Sequence, residues 1–430
     1  MSFPIFAYIA ILLLAALLST RLMKVLKLPN VTGYIITGII MGPFVFGLLF
    51  NNFTYDGIKE SEIYSYVDKI SWVSTVALGF IAFSIGTSFK INTLKIVGKR
   101  VIIITILEAI FASIAVFVAL LCLHFIIPDK VSLALVFTLS AIAAATAPAA
   151  TLMIIKQYQA RGSLVDTLLP VVALDDAAAL ILFAVLFQLA TAISGGGTFD
   201  VYKMIFKPII EILISLGIGA VLGLFISWLN RFFISRNNKL ILCIISVFAS
   251  LGFYVLFKNS YLGGFELSSL LMCMMAGAIF TNLCKDSNRT LDIMDRFTSP
   301  IFLMFFVISG ASLDLSIFFN KSGLIIVGIA LVYVVIRVVG KWLGAYVGAS
   351  ITKSEPKIKK YLGLTLIPQA GVAIGLATTA GKLFSQREET AFTGVLIVAI
   401  VLTSTLIYEI VGPMISKYAL NKAGEIPTEQ

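Results

Sequence analysis

The sequence predicts an all-α polytopic membrane protein of about 13 transmembrane helices, built as inverted repeats with two broken crossover helices. Three observations predict it. The 430 residues are 59% hydrophobic and only 13% charged, with a mean hydropathy of +1.03, whereas soluble domains carry roughly a quarter charged residues. Apolar stretches long enough to cross a bilayer recur between short polar clusters along the whole chain. Two of those stretches carry helix-breaking sequence at mid-depth, in corresponding places.

Division at the polar clusters places spans near 4–26, 31–50, 69–89, 99–125, 131–155, 163–193, 207–230, 239–258, 264–283, 297–319, 323–350, 361–383 and 390–418. Met1-Ser2-Phe3-Pro4 runs into the first span without a preceding positive charge or a small-residue cleavage site. That span is therefore expected to be retained rather than removed as a signal peptide. With the N-terminus outside and the C-terminus cytoplasmic, Lys and Arg favour the inner loops by roughly two to one. Topology then accounts for the net charge of +10, and no nucleic-acid partner is expected.

Cys122, Cys243, Cys273 and Cys284 form no CxxC pair and read as packing residues. His124 is the single histidine, which excludes a histidine-based metal centre. Gly217, Gly219 and Gly223 lie inside an apolar span and read as helix packing, not as a nucleotide loop. No cofactor, catalytic residue or separate soluble domain is expected. The chain reads as one membrane unit, with repeat one at about 4–193, a linker helix at about 207–230, repeat two at about 239–418 and a short cytoplasmic tail at 419–430.

The repeat shows where span three ends Gly86-Thr87-Ser88-Phe89-Lys90-Ile91 and span ten ends Gly310-Ala311-Ser312-Leu313-Asp314-Leu315, 224 residues later. The same offset lays span five on span twelve. Seven spans separate the partners, an odd number, so the copies are inverted. Span five carries Thr146-Ala147-Pro148 and span twelve carries Pro368-Gln369-Ala370-Gly371. One such interruption is an ordinary proline kink. Two in register mark a transport site, because unwound backbone aims carbonyls and half-helix dipoles at an ion.

A charge near the bilayer centre costs at least ~2.5–3.5 kcal/mol, so each one needs a reason. Span six holds Asp175-Asp176 near mid-depth. Two neighbouring carboxylates do not both ionise cheaply in a low dielectric, so one is expected to hold a proton or release it to accept a cation. That competition is the chemistry of an antiporter. In span eleven Arg337 and Lys341 lie four residues apart on one helix face and can neutralise one of the acids. Asp176 is expected to bind the ion and Asp175 to pair with Lys341 or Arg337, with the reverse order open. Thr146 offers a hydroxyl ligand for sodium. Gln369 offers either a ligand or a helix-bridging hydrogen bond. Glu108 is a weaker ion-site candidate. Glu211 and Glu409 are expected near helix ends or beside basic neighbours.

Six strings, in this order and spacing, resemble the monovalent cation:proton antiporter-2 family, within the sodium/proton exchanger fold. They are Leu28-Pro29-Asn30-Val31-Thr32-Gly33-Tyr34 with Gly38 and Gly42-Pro43, Thr146-Ala147-Pro148-Ala149-Ala150-Thr151, and Val172-Ala173-Leu174-Asp175-Asp176-Ala177. The other three are Gly340-Lys341-Trp342-Leu343-Gly344-Ala345, Pro368-Gln369-Ala370-Gly371-Val372-Ala373 and Tyr408-Glu409-Ile410-Val411-Gly412-Pro413. The resemblance implies a dimerisation domain and a core domain, a homodimer in the cell membrane, and elevator-like transport. It implies Asp175 and Asp176 as the paired acids and Lys341 or Arg337 as the embedded base. The nucleotide-binding domain of potassium-efflux relatives is not expected here.

The expected function is secondary active exchange of sodium for protons, with potassium or lithium in place of sodium, or ion sensing without stoichiometric transport, as alternatives. An intramembrane aspartyl protease needs two acids converging from separate helices, and Asp175 and Asp176 are adjacent on one.

Overall fold

The computed structural model describes residues 5–47, 62–87, 89, 91–194, 206–233, 235–259, 267–284, 287–312, 323–385 and 388–427. Among them all regular structure is helical. Lipid offers the backbone no hydrogen-bond partner, so an apolar spanning segment satisfies its own N–H and C=O groups as a helix. Eight helical stretches among the described residues are long and apolar enough to cross a membrane.

The chain separates into two compact units, Met1–Lys95 with Glu211–Ser316, and Ile96–Ile210 with Ile317–Gln430. The first holds α1 (Ile5–Val25), α2 (Asn30–Met41), α3 (Glu62–Ile70), α4 (Trp72–Gly86), most of α9 (Lys207–Leu229), α10 (Arg236–Asn259), α11 (Ser269–Leu283) and α12 (Ser287–Ala311). Two helix pairs in it pack by the same device. Gly38 of α2 lies on the Val307 carbonyl of α12, and Gly310 of α12 lies on the Ile35 carbonyl of α2, each so close that a Cβ would collide. Gly277 of α11 and Phe83 of α4, and Gly86 of α4 and Met274 of α11, repeat the arrangement with the same three-residue spacing. Small residues let helix backbones touch in lipid. The strings that end spans three and ten run beyond this: Ser88, Lys90 and 313–315 lie outside the described residues.

The second unit holds most of α5 (Ile91–Ile126), then α6 (Leu133–Ile142), α7 (Pro148–Gln157), α8 (Ser163–Ile193), α13 (Gly323–Ile351), α14 (Pro356–Thr365), α15 (Gly371–Ser385) and α16 (Glu388–Lys422). Its main core gathers Leu135, Leu139 and Ile142 of α6 with Phe183 of α8, Tyr333 of α13, and Ile397 and Tyr408 of α16. A second cluster joins Val101, Ile154, Leu164, Leu168, Leu362 and Leu420.

The start of α8, the helix that carries Asp175 and Asp176, is closed by the tail. Glu425 accepts from the backbone N–H of Leu164 at 2.8 Å and of Val165 at 2.9 Å, and Lys357 Nζ lies 2.8 Å from its Oε1. A carboxylate at a helix N-terminus satisfies orphan donors and meets the positive end of the dipole. Gly162, with φ of +150°, leaves room for it. The Glu425 hydrogen bond raises the Lys357 pKa. A raised lysine contributes stability fully present below its unfolded pKa and lost only as alkaline pH passes the folded value, so the contact persists through neutral pH. Glu425→Gln is expected to cost about 1.5–3 kcal/mol, as for hydrogen bonds to a charged group. A lowered melting temperature in detergent checks it; an unchanged one would show that α8 does not depend on this cap.

Candidate functional site: a buried lysine between three acids and a crossover

Span five is two helices, α6 and α7, and span twelve is two helices, α14 and α15. Ile142 and Thr365 end the first halves and Pro148 and Gly371 open the second, both pairs 223 residues apart, one fewer than the offset read from the strings. Pro148 stands at the first helical position, where its missing N–H is not needed. The two breaks are bonded to each other: Ala147 N–H donates to the Pro368 carbonyl at 2.8 Å.

Because α6 and α14 both end here, their last carbonyls and the negative ends of two short dipoles accumulate in one place. Arg337 of α13, fully buried, answers them. Its Nε donates to Ala143 O at 2.9 Å, Nη2 to Ala145 O at 2.6 Å and Nη1 to Ile367 O at 2.8 Å. Its guanidinium carbon sits 4.7 Å from the centre of the Tyr408 ring. One planar fork therefore satisfies three acceptors from both broken segments. Gln369 also bridges: its Nε2 donates to Ile142 O at 2.9 Å, and its Oε1 accepts from the Tyr333 hydroxyl at 3.2 Å. Of the two options the sequence leaves for Gln369, the structure shows the helix-bridging bond.

One helical turn beyond Arg337, Lys341 is also fully buried, and its ammonium faces the acids. Nζ donates to Thr146 Oγ1 at 2.6 Å, to Glu108 Oε2 at 2.7 Å and to Asp175 Oδ2 at 3.1 Å. An ammonium has three donors, and all three are used. Of the two candidate bases it is Lys341 that stands beside Asp175, while Arg337 holds backbone.

Glycines bring the lysine this close. A Cβ on Gly344 would lie 2.5 Å from Glu108 Cα, one on Gly348 2.8 Å from Ile104 Cα, and one on Gly340 2.9 Å from Ala112 Cα. Along this seam of every fourth residue, α13 and α5 run backbone against backbone.

Asp176 is set apart. Adjacent residues diverge by about 100° around a helix, and Asp175 is completely buried while Asp176 keeps 8% of its surface exposed. Asp175 Oδ1, Asp176 Oδ1 and Glu108 Oε1 are buried oxygens that accept no hydrogen bond. Among the described residues no three His, Cys, Asp or Glu side chains converge as a metal cluster. Asp175 and Glu108 both contact the Lys341 ammonium. The open carboxylate oxygens of Asp175 and Asp176 are hard donors of the kind that small hard cations take.

Glu108 stands nearer the centre of the site than the sequence placed it, and Thr146 touches the base as well as being a candidate ligand. Glu409 is buried in the interior of α16 rather than near a helix end. Tyr333 and the glycine seam were not singled out from the sequence. The spacing Gly340, Gly344, Gly348 was the available signal for the seam, and it points at whichever helix carries small or buried residues opposite.

The chain matches the family model described as sodium/hydrogen exchanger, transmembrane, over residues 9–416. No curated protein shows significant similarity to it. Among solved structures it is similar to the sodium proton antiporter MjNhaP1 from Methanocaldococcus jannaschii at pH 8, with a TM-score of 0.66 and 18% identity over 97% of this chain and 98% of that one. It is also similar to the electron-microscopy structure of the same antiporter, with a TM-score of 0.73 and 17% identity over 99% of both chains. At such identities the likeness speaks for the fold. The family match covers nearly the whole length, and on it the chain belongs to the transmembrane sodium/hydrogen exchanger family.

Proposed function

We propose that this chain is a secondary active antiporter of the cell membrane that exchanges sodium for protons by alternating access. In this reading it works as a homodimer with its N-terminus outside and its C-terminus in the cytoplasm. It falls in the monovalent cation:proton antiporter-2 branch, which the adjacent acids Asp175 and Asp176 with the buried base Lys341 support. The observation that carries the reading is the Lys341 ammonium itself. A monovalent cation already sits on the oxygens of Asp175 and Thr146, beside an acid, Asp176, with an open oxygen.

The exchange follows from charge. A buried site tolerates few unbalanced charges, so Asp176 is neutralised either by a proton or by a cation. Binding sodium there releases the proton, and binding the proton releases sodium. Thr146 and Asp175 supply further oxygens when the Lys341 ammonium withdraws from them. The inverted broken helices give the site two related routes of access.

The test is cation-induced proton movement in proteoliposomes holding a preset pH gradient, with sodium, lithium and potassium added separately. Sodium and lithium are expected to collapse the gradient and potassium to leave it standing. Collapse by potassium alone would turn the reading to potassium/proton exchange. No response to any cation would favour an ion sensor.

A further inference from the structure

We propose that Glu108 is a positioning residue of the transport site: it is the second seat of the Lys341 ammonium, holding it aside while the cation occupies Asp175 and Thr146. This rests on the exchange reading above. Lys341 fills the same oxygens that the cargo needs, so it is a built-in competitor, and cation binding requires it to withdraw. A buried ammonium stripped of its acceptors is costly, and a charge left without its partner is costlier still.

Glu108 removes that cost in three ways. It is fully buried and makes the shorter of the two acid contacts to Nζ, 2.7 Å against 3.1 Å for Asp175. Its second oxygen, Oε1, accepts no hydrogen bond, so it can take up a donor that leaves Asp175 or Thr146. It also belongs to α5, which is not part of the crossover, and the backbone contact of Gly344 on its Cα fixes it against the helix that carries Lys341. The lysine therefore keeps an acidic partner whether or not Asp175 is engaged.

The consequence is a change in apparent cation affinity. With Glu108→Gln the ammonium has only Asp175 as its acid, competes harder, and raises the sodium KM. A charge-assisted hydrogen bond is strong enough to shift it about tenfold. The loss falls on KM more than on the maximal rate, and Glu108→Asp, which keeps the charge but reaches less far toward the ammonium, raises KM by a smaller factor. The measurements are sodium KM and maximal rate in proteoliposomes at a fixed pH gradient, and the sodium Kd of the purified full chain by calorimetry. Melting temperature is measured alongside.

A wild-type KM and Kd in Glu108→Gln, or a fall in maximal rate alone, overturns the proposal. Should Glu108→Gln not fold, Glu108→Asp decides: a raised KM at a normal melting temperature supports the second seat, and an unchanged KM overturns it. Wild type that neither binds nor exchanges sodium would overturn the exchange reading and this role together. Wild type that does both, beside an unaffected variant, overturns the role of Glu108 alone.

Discussion

Asp176→Asn is expected to abolish sodium-driven proton movement, by more than about 100-fold, a barrier of roughly 2.7 kcal/mol, while the protein stays folded. Asparagine has nearly the shape of aspartate and carries no exchangeable charge, so neither cargo can be bound in place of the other. Stability is not expected to suffer. Asp176 Oδ1 accepts no hydrogen bond, so no such contact is lost there, and asparagine is as neutral as the protonated acid it replaces. The check compares wild type and variant in the same liposomes, with melting temperature measured in detergent. Exchange at the wild-type rate in a folded Asp176→Asn protein would remove the central role given to this acid. Asp175→Asn makes a useful contrast, because Asp175 shares the ammonium of Lys341 with Glu108.

Arg337→Ala should produce the largest loss of stability. It strips a donor from three buried carbonyls, those of Ala143, Ala145 and Ile367, of which Ala145 O keeps a longer bond from Gln369 Nε2 at 3.4 Å. Each acceptor left unsatisfied costs about 1–3 kcal/mol, a sum comparable to the whole margin of roughly 5–15 kcal/mol that keeps a typical protein folded. The two C-terminal half-helix ends it neutralises would then face each other unscreened. Arg337→Lys is expected to fall between, since a point ammonium keeps the charge but does not span three acceptors in a plane. Yield of monodisperse protein and melting temperature read the effect. Wild-type melting in Arg337→Ala would mean that the crossover is held by Gln369 and the Ala147 to Pro368 bond without it.

The helical membrane architecture was legible because hydropathy and the length of apolar runs are local properties, and lipid leaves helices as the solution for such segments. The paired interruptions were legible for a related reason. Pro148, Pro368 and Gly371 break helices by their own backbone chemistry, and a repeat shows itself as an offset. The neighbouring acids Asp175 and Asp176 stood out because charge in an apolar run needs an explanation wherever it lies.

Partner choice was a different matter. The sequence put Arg337 and Lys341 on one face, but one turn of helix decides between carbonyls and carboxylates, and only packing fixes that turn. Lys341 reaches Glu108 across 233 residues of chain, Thr146 across 195 and Asp175 across 166. Glu108 looked like a minor candidate because its importance comes from the close approach of α5 and α13 at Gly344, a contact between distant segments. The cap that Glu425 gives α8 lay equally out of reach. The sequence by itself determined which groups must be buried and that each would need a partner; the tertiary structure decided who the partners are, because in lipid that choice belongs to whichever backbones come close enough to share them.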